Sequence, residues 1–230
     1  MKIKVLNTGS KGNGYVLTDV ANESLVIEAG VSAALVSANS ERLVGCIYSH
    51  EHTDHCGQLS AIQNIVNVYD LPDMWQRYTI GDYNVIAFPV LHNVDNKGFI
   101  ISHRLEKKVI FFATDLIYNT AVKPYYSELF SLCQSLKFDL IMIESNYNEY
   151  EFKMSVQGGS DVWGAKNHLS NRECARFLSH ICDRNAIQNI MLLHGSNRIG
   201  RGVREKKEPI LRLLPKAQII IANKGVSLEI

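Results

Sequence analysis

The sequence predicts an α/β fold, in which apolar strands alternate with helices along 230 residues. Short apolar runs of strand length recur through the chain, and segments with helical spacing separate many of them. Some runs, such as residues 44–48 and 140–143, are apolar almost throughout and indicate buried strands. Five of the runs end within one or two residues of a histidine or a carboxylate. Because sheets present side chains to a cleft at the carboxyl ends of their strands, we expect one site at these strand ends.

The first part of the chain predicts three strands before the first helix. Residues 1–6 alternate polar and apolar side chains, which indicates an edge or hairpin strand. Residues 7–14 hold three glycines and two asparagines, a composition typical of a tight turn. Strands are then predicted at 15–19 and 24–28, and a weak helix at 31–40.

The rest of the chain shows the same alternation, with turn residues between the elements. Apolar or alternating runs predict strands at 44–48, 65–69, 83–91, 98–103, 107–113, 140–143, 190–193, 218–222 and 226–230. Helical spacing predicts helices at 58–64, 124–136, 169–182 and 208–214. The third of these has Ser170 or Asn171 as its candidate N-cap and Glu173 in its first turn. The pairs 98–103 with 107–113, and 218–222 with 226–230, are predicted hairpins.

Composition and charge exclude few classes of function. With 46% hydrophobic and 20% charged residues the chain can bury a sizeable core, and we expect a single domain over 1–230. A formal net charge of +1 is compatible with nucleic acid or a small anion as substrate. No apolar run is long enough for a membrane span, and the five cysteines form no C-x-x-C pair. We therefore expect a cytoplasmic protein with reduced thiols and no membrane partner, and leave its oligomeric state open.

The densest group of reactive side chains follows the buried strand at 44–48. It has the pattern H-x-H-x-D-H and contains three of the eight histidines. His50 and His52 are two residues apart, so both imidazoles can leave the same side of an extended chain. The turn beyond them can direct Asp54 and His55 elsewhere, so that one loop supplies two metal ions. Imidazole and carboxylate are common ligands of divalent metals, and a polar loop that binds no metal is the alternative.

The other strand ends complete a two-metal site. A dinuclear centre needs about three protein ligands per ion and a bridge. We predict the first ion on His50, His52 and His92. We predict the second ion on Asp54, His55 and His194, with Asp115 as the bridge. A water between the ions, its pKa lowered by both, would be the nucleophile.

Two further questions concern the metal and the remaining histidines. Histidine-rich sites favour Zn²⁺, while a bridging carboxylate with open positions also suits Mn²⁺, so we expect two ions of either kind. His103 and His180 lie inside a predicted hairpin and a predicted helix and follow no strand-end pattern. We expect both to be structural.

The motif and the order of the later ligands resemble the metallo-β-lactamase-fold hydrolases across nearly the whole chain. In that family a later histidine, an aspartate at a strand end and a last histidine complete the site, which here are His92, Asp115 and His194. The resemblance implies a four-layer αββα sandwich with the metals at one edge between two sheets. Glu28 begins an E-A-G segment where the family commonly has D-x-G, and Asn93 follows His92 where nuclease relatives often have aspartate.

Shorter segments resemble a narrower group. The segments GSKGN at 9–13, ESNY at 144–147 and NHLSN at 167–171 are similar to those of the YycJ/WalJ-type small exonucleases. The last histidine begins an H-x-S-x-R segment that resembles RNase Z. The resemblance implies that His168 donates a proton to the leaving oxygen and that Glu144 orients it, so both join Asp54 as predicted catalytic residues. A polar residue at a helix start is the alternative for His168.

Residues 198–207, just after the last predicted ligand, carry five basic side chains and one acidic one. Their position favours contact with a phosphate backbone, since arginine binds phosphate through its bidentate fork. A solvated surface loop is the alternative. We predict Ser196, Arg198 and Arg201 as substrate-binding residues.

These observations predict a metal-dependent phosphodiesterase that acts on nucleic acid, most directly a DNA exonuclease. The alternative enzyme hydrolyses a small phosphodiester, such as a cyclic nucleotide or a cyclic oligonucleotide signal. A binding protein with a degenerate metal site is the non-enzymatic alternative, and mutating the ligands would then leave its function unchanged. A panel of polymeric and cyclic substrates distinguishes the two enzymes.

Overall fold

The structure is a computed structural model, and it describes residues 1–184, 189–196, 199 and 202–230. The chain forms two compact units. Unit 1 contains Met1–Pro89, Val94–Phe112 and Ala222–Ile230, and unit 2 contains Val90–Asn93 and Ala113–Ile221. The single domain expected from the sequence stays a prediction.

A six-stranded sheet forms the larger part of unit 1, in the order β13-β1-β2-β3-β4-β5. Its strands are β1 (Lys2–Asn7), β2 (Gly14–Thr18), β3 (Glu23–Ile27), β4 (Arg42–Ile47), β5 (Val68–Tyr69) and β13 (Ser227–Glu229). The β3–β4 and β4–β5 pairs are parallel, and the other pairs are antiparallel. Of the edge or hairpin strand predicted for residues 1–6, the hairpin is confirmed by the pairing of β1 with β2, and the edge is wrong because β13 pairs with the other side of β1.

Alternation along these strands gives the sheet two different faces. Val16 and Val26 pack with Cys46 in a core that includes Val36 and Ile62. The last two residues belong to α1 (Ala33–Ser37) and α3 (Leu59–Gln63), so these helices cover one face. The ligand loop and α2 (Thr53–Cys56) lie between β4 and α3.

Four further strands of unit 1 cover the other face of the sheet. They are β6 (Arg77–Ile80), β7 (Tyr83–Val90), β8 (Asn96–His103) and β9 (Val109–Ala113), with antiparallel β6–β7 and β8–β9 pairs. Tyr15 packs edge-on against Phe112, with ring centroids 5.6 Å apart. The hydroxyl of Tyr83 donates to the carbonyl of Leu17 at 3.1 Å. Unit 1 therefore has a helix layer and two strand layers.

Unit 2 contains three parallel strands with helices. The strands are β10 (Leu140–Glu144), β11 (Asn189–Leu193) and β12 (Gln218–Ile221), in the order β10-β11-β12. The helices are α4 (Ser127–Gln134), α5 (Glu149–Gln157), α6 (Asn171–Ile181) and α7 (Val203–Leu213), with 3₁₀ turns at Lys123–Tyr126 and Trp163–Asn167. Of the two candidate N-caps, Ser170 caps α6 and forms a capping box with Glu173. Among the described residues, no helix has the length and apolarity needed to cross a membrane.

The strand pairing predicted for the end of the chain is wrong, and two elements were not predicted. The final hairpin does not form, because β12 pairs with β11 and β13 pairs with β1. The sequence analysis missed β6 and α5, and α5 has no buried residue that would produce an apolar stripe.

Helix α7 begins five residues before the predicted start at 208 and passes through Pro209. A proline inside a helix leaves the carbonyl four residues earlier without its usual donor. Here the side-chain amide of Asn171 donates to the carbonyl of Glu205 at 3.3 Å. This tertiary contact replaces the missing bond, so the proline does not end the helix.

Candidate functional site

The loop after β4 brings two imidazoles of unit 1 together. The Nε2 atom of His50 lies 3.0 Å from the Nδ1 atom of His52. The Nδ1 atom of His50 lies 2.8 Å from the Oγ atom of Ser49, which therefore occupies the other ring nitrogen. In a tetrahedral zinc site with Zn–N bonds of about 2.0–2.1 Å, two ligand nitrogens are roughly 3.4 Å apart. The pair is thus close to the spacing that one metal ion requires.

Helix α2 presents the second pair of predicted ligands, Asp54 and His55. The Oδ2 atom of Asp54 lies 3.5 Å from the Nε2 atom of His55, and the side-chain amide of Asn13 lies 3.0 Å from the same nitrogen. The Nδ1 atom of His55 lies 3.3 Å from the Oε1 atom of Glu28. Because the side-chain amide of Asn13 donates, Nε2 is the accepting nitrogen, and we assign the ring proton to Nδ1, on the side of Glu28.

Glu28 supports both ligand pairs of unit 1. Its side chain is fully buried, and its Oε2 atom accepts a hydrogen bond from the N–H of Ser49 at 3.2 Å. The glutamate of the E-A-G segment therefore binds the residue before His50, and its other oxygen faces the ring of His55. Gly30 ends the segment at a close approach, where a Cβ would overlap the carbonyl of Asp54.

Asp115 lies at the centre of the ligand set in unit 2. Its Oδ2 atom is 3.9 Å from the Nε2 atom of His92, and its Oδ1 atom is 3.5 Å from the Nδ1 atom of His194. The Nδ1 atom of His92 lies 3.0 Å from the carbonyl oxygen of Asn167. Since a carbonyl only accepts, Nδ1 carries the proton and Nε2 offers its lone pair towards Asp115. The two oxygens of one carboxylate thus face two histidines, as a bridging ligand requires.

Glu144 ends β10 as a fully buried carboxylate. Its Oε1 atom accepts hydrogen bonds from the N–H groups of Leu116 at 2.9 Å and Leu169 at 2.8 Å. Its Oε2 atom lies 3.0 Å from the Nδ1 atom of His168. We therefore assign the proton of His168 to Nδ1, so that the carboxylate sets the tautomer and orientation of the ring.

His168 also lies beside other predicted site residues of unit 2. Its Nδ1 atom is 3.8 Å from the Oδ1 atom of Asp115, and its ring stacks on that of His194 with centroids 5.1 Å apart. Asp115, Glu144, His168 and His194 form a group whose ligand atoms lie within 4.8 Å of one another. The geometry is therefore compatible with His168 as a proton donor and also with His168 as a metal ligand.

Asn146 holds the last predicted ligand. Its side-chain amide donates to the carbonyl of His194 at 2.8 Å and lies 3.2 Å from the Nδ1 atom of that residue. The N–H of Ser196 donates to the carbonyl of Asn146 at 2.7 Å, and the Oγ atom of Ser196 accepts from the N–H of Ile199 at 3.3 Å. Ser196 therefore lies next to the ligand, and its contact with substrate stays a prediction. Arg198 and Arg201 lie outside the described residues.

Three site residues have a left-handed backbone conformation. Glu28, Asp115 and His194 have φ of 70°, 53° and 49°. Such values cost roughly 1–3 kcal/mol each in a residue other than glycine and persist where surrounding contacts over-determine them. In Glu28 and Asp115 the contacts are those of the buried carboxylates, and in His194 they are those of Asn146.

Three residues that contact the predicted ligands were not predicted from the sequence, namely Asn13, Ser49 and Asn146. Asn13 lies in the glycine-rich turn, and Asn146 lies in the E-S-N segment. Both segments were recognised as motifs, but no role was predicted for either asparagine side chain. Ser49 directly precedes the ligand motif, and its position beside His50 was the available signal. Ser49 contacts the ring nitrogen of His50 that faces away from His52, as a residue that orients a metal ligand does. Asn13 and Asn146 instead contact the nitrogens of His55 and His194 that face Asp54 and Asp115.

The two histidines expected to be structural have ordinary partners. In unit 1 the Nδ1 atom of His103 accepts from the N–H of Glu106 at 3.0 Å, so its Nε2 atom donates to Asp19 at 3.0 Å. In unit 2 the ring of His180 packs against Phe130 with centroids 4.7 Å apart, and burial lowers the pKa of His180. These contacts are those of structural side chains, but His103 with Asp19 and Glu106 also forms a group that could hold a metal ion, so the structural role of both histidines stays a prediction.

The basic stretch is not a loop where it is described, because residues 203–207 are the start of α7. Lys206 is buried with 5% of its surface exposed, so the expectation of a solvated or phosphate-contacting side chain is wrong there. Arg204 remains exposed and pairs with Glu208 at 3.7 Å.

The donors in each unit fit a divalent metal ion. Unit 1 offers three imidazoles and one carboxylate, and unit 2 offers His92 and His194 around the carboxylate of Asp115. The hydroxyl of Ser49 and the carbonyl oxygen of Asn167 contact the ring nitrogens of His50 and His92 that face away from His52 and Asp115. Neutral imidazole with carboxylate is a donor set of first-row divalent metals.

Comparison with known proteins identifies the fold. No family model and no curated protein matches the sequence. The metallo-β-lactamase-fold protein YhfI of Bacillus subtilis matches at 15% identity and a TM-score of 0.68, covering 99% of both chains. Yeast PDE1 matches at 13% identity and a TM-score of 0.70, and the short form of human tRNase Z matches at 13% identity and a TM-score of 0.64. Each match covers 100% of this chain and 99% of the other chain. These likenesses establish that the chain has the metallo-β-lactamase fold, as its sequence predicts.

Proposed function

We propose that the chain is a metal-dependent phosphodiesterase, and more narrowly a nuclease of the DNA-exonuclease type. The observation that carries the proposal is the Glu144–His168 pair, in which a buried carboxylate holds an imidazole 3.8 Å from Asp115. A proton donor beside metal ligands suits cleavage of a phosphodiester whose leaving group is a poor one. The similarity to tRNase Z supports nucleic acid as the substrate class, and the YycJ/WalJ-like segments support DNA.

The proposed metal ligands are those that the sequence predicts. We assign His50, His52 and His92 to one ion, Asp54, His55 and His194 to the other, and Asp115 to both. Two bound Zn²⁺ or Mn²⁺ ions would lower the pKa of a coordinated water and offset the charge of the phosphate. The carboxylate of Asp115 supports this assignment, because its two oxygens face different histidines.

The remaining roles fall to side chains of unit 2. His168 is the proposed proton donor, through Nε2, to the oxygen that leaves the phosphorus atom. Donation from Nε2 requires the imidazolium form, in which both ring nitrogens carry a proton. Glu144 would accept from Nδ1–H in that form, and its negative charge would offset the positive charge of the ring. Ser196, Arg198 and Arg201 are the proposed contacts with the phosphate backbone, and Asp54 belongs to the catalytic set as a metal ligand.

The test is hydrolysis by purified protein with Mn²⁺ or Zn²⁺. The substrates are end-labelled single-stranded DNA, duplex DNA and RNA, together with cyclic mononucleotides and cyclic dinucleotides. We expect mononucleotides to be released stepwise from DNA. The double variant His50→Ala/His52→Ala is the control, and it should lose this activity and keep the fold by circular dichroism.

Three other outcomes are informative. Hydrolysis of cyclic nucleotides alone would establish the small-phosphodiester alternative. Internal cleavage of RNA would retain the phosphodiesterase and overturn the exonuclease. An absence of hydrolysis of every substrate with either metal would refute the proposed function.

A further inference from the structure

Lys206 is a buried cation that the proposed chemistry does not use. It lies on the inward side of α7, one helical turn before the buried residue Ile210. Among the described residues it is the one buried lysine or arginine. Lysine is seldom buried without a partner, because removing its charge from water is costly. Burial accordingly lowers the pKa of Lys206, and no carboxylate of the described residues pairs with it.

The ammonium group of Lys206 lies against Gly195, the residue after the last predicted ligand. A Cβ added to Gly195 would overlap the Nζ atom, whereas the Cε atom would remain 3.4 Å away. The same Cβ would lie 3.8 Å from the carbonyl oxygen of Ser145. An ammonium group has three donors and no acceptor, so carbonyl groups at this strand end are suitable neighbours.

The segment that Lys206 touches is the one that positions His194. Backbone hydrogen bonds join Ser145 to Leu193 at 3.1 Å and Ser196 to Asn146 at 2.7 Å, one on each side of the pair His194-Gly195. The side chain of Asn146 in turn binds the carbonyl and the ring of His194. A displacement of Gly195 would therefore be transmitted directly to the imidazole of His194.

We propose that Lys206 is a positioning residue for His194, and that contact between its ammonium group and Gly195 fixes the segment His194–Ser196. The role of His194 as a metal ligand rests on the proposed function. The contact between Lys206 and Gly195, and its effect on the ring of His194, are independent of the proposed function.

A pair of substitutions tests the contact. Lys206→Met removes the Nζ atom and keeps most of the side chain, and Gly195→Ala places a methyl group where Nζ lies. Each single change should weaken binding of one metal ion about 10- to 100-fold, the usual effect of losing a group that orients a ligand. In the double variant the methyl group occupies the vacated space, so the loss should stay within about threefold of that in Lys206→Met. Lys153→Met, at an exposed lysine of α5, is the matched control and should change nothing.

Two readouts separate positioning from general destabilisation. Metal affinity and stoichiometry come from calorimetric titration with Zn²⁺, and the imidazole of His194 is followed by long-range ¹H–¹⁵N correlation in the metal-free protein. Both single variants should shift the ring resonances of His194 and leave those of His103 unchanged. Thermal denaturation verifies folding, and Gly195→Ala provides the same ring test if Lys206→Met does not fold.

The outcomes are distinct. Unchanged His194 resonances in the folded single variants would overturn the proposal. So would a loss of metal affinity in the double variant equal to the product of the losses in the two single variants. A wild-type protein that binds no metal would refute the proposed function, and the ring resonances would still decide the role of Lys206.

Discussion

Replacement of Glu144 by glutamine tests the central pair of the candidate site. Glutamine has nearly the same shape, and its carbonyl oxygen can still accept from the N–H groups of Leu116 and Leu169. Its amide nitrogen would replace the oxygen that now lies 3.0 Å from the Nδ1 atom of His168. Two donors would then face each other, so the ring must turn or move its proton to Nε2.

The magnitude follows from the lost hydrogen bond. A hydrogen bond to a charged group contributes about 1.5–3 kcal/mol, which corresponds to roughly 10- to 200-fold in rate if it stabilises the protonated ring. Full loss of general acid catalysis is about 10²- to 10⁴-fold. We expect kcat on DNA to fall by about 10² or more in Glu144→Gln, and by a similar factor in His168→Ala. Relief of the buried charge offsets weaker backbone hydrogen bonds, so stability should change by less than about 3 kcal/mol.

The assay compares two leaving groups. Cleavage of single-stranded DNA expels a sugar alkoxide, which is a poor leaving group and needs a proton. Cleavage of bis(4-nitrophenyl) phosphate expels 4-nitrophenolate, which is stable without one. Glu144→Gln should lose its activity on DNA and retain most of its activity on the nitrophenyl ester, with unchanged metal content. The double variant Glu144→Gln/His168→Ala should be little worse than either single variant, because the two residues act as one unit.

Either of two results would refute this reasoning. Equal loss on both substrates would show that the pair does not supply a proton to the leaving group. Loss of a metal ion from His168→Ala would make His168 a ligand, and the assignment of His194 to the second ion would then have to be revised.

The remaining predictions concern the ligands and the core. Asp115→Asn, which tolerates the left-handed backbone at φ 53°, should reduce bound metal from two ions to one or none and lower kcat by more than about 10³; two ions retained by elemental analysis would argue against a bridging role. Ser49→Ala should weaken metal binding about 10- to 100-fold, because the hydroxyl 2.8 Å from the Nδ1 atom of His50 orients that ring, and an unchanged affinity in a zinc titration would contradict it. Phe177→Ala should lower the free energy of unfolding by about 3–5 kcal/mol, since this fully buried ring contacts the rings of Tyr118 and Tyr126 with centroids 5.3 Å away; urea denaturation measures it, and a loss below about 1 kcal/mol would not fit a packed core.

The candidate ligands could be predicted from the sequence because their signal is local and chemically rare. His50, His52, Asp54 and His55 lie within six consecutive residues, and an extended chain followed by a helical turn is enough to orient them in pairs. The later histidines and Asp115 could be found because each follows an apolar run. The alternation of such runs with helical segments also sufficed for the α/β class.

The partners of those side chains could not be found in the same way, because each contact joins residues far apart in the chain. Asn13 reaches His55 across 42 positions, and Asn146 reaches His194 across 48. The strand pairing at the end of the chain depends on which sheet edges the fold leaves available. The local turn between β12 and β13 therefore predicted a hairpin that does not form.

Helix α7 shows most clearly the difference between what local sequence predicts and what long-range contacts decide. From local chemistry the sequence predicts a helix only from residue 208, after a basic stretch at 198–207 that contacts phosphate or is a solvated loop. The amide of Asn171, contributed by α6, replaces the hydrogen bond that Pro209 removes, and packing against Gly195 buries Lys206. Local propensity describes a residue with its chain neighbours, whereas burial and hydrogen-bond partners depend on the elements that packing brings beside it.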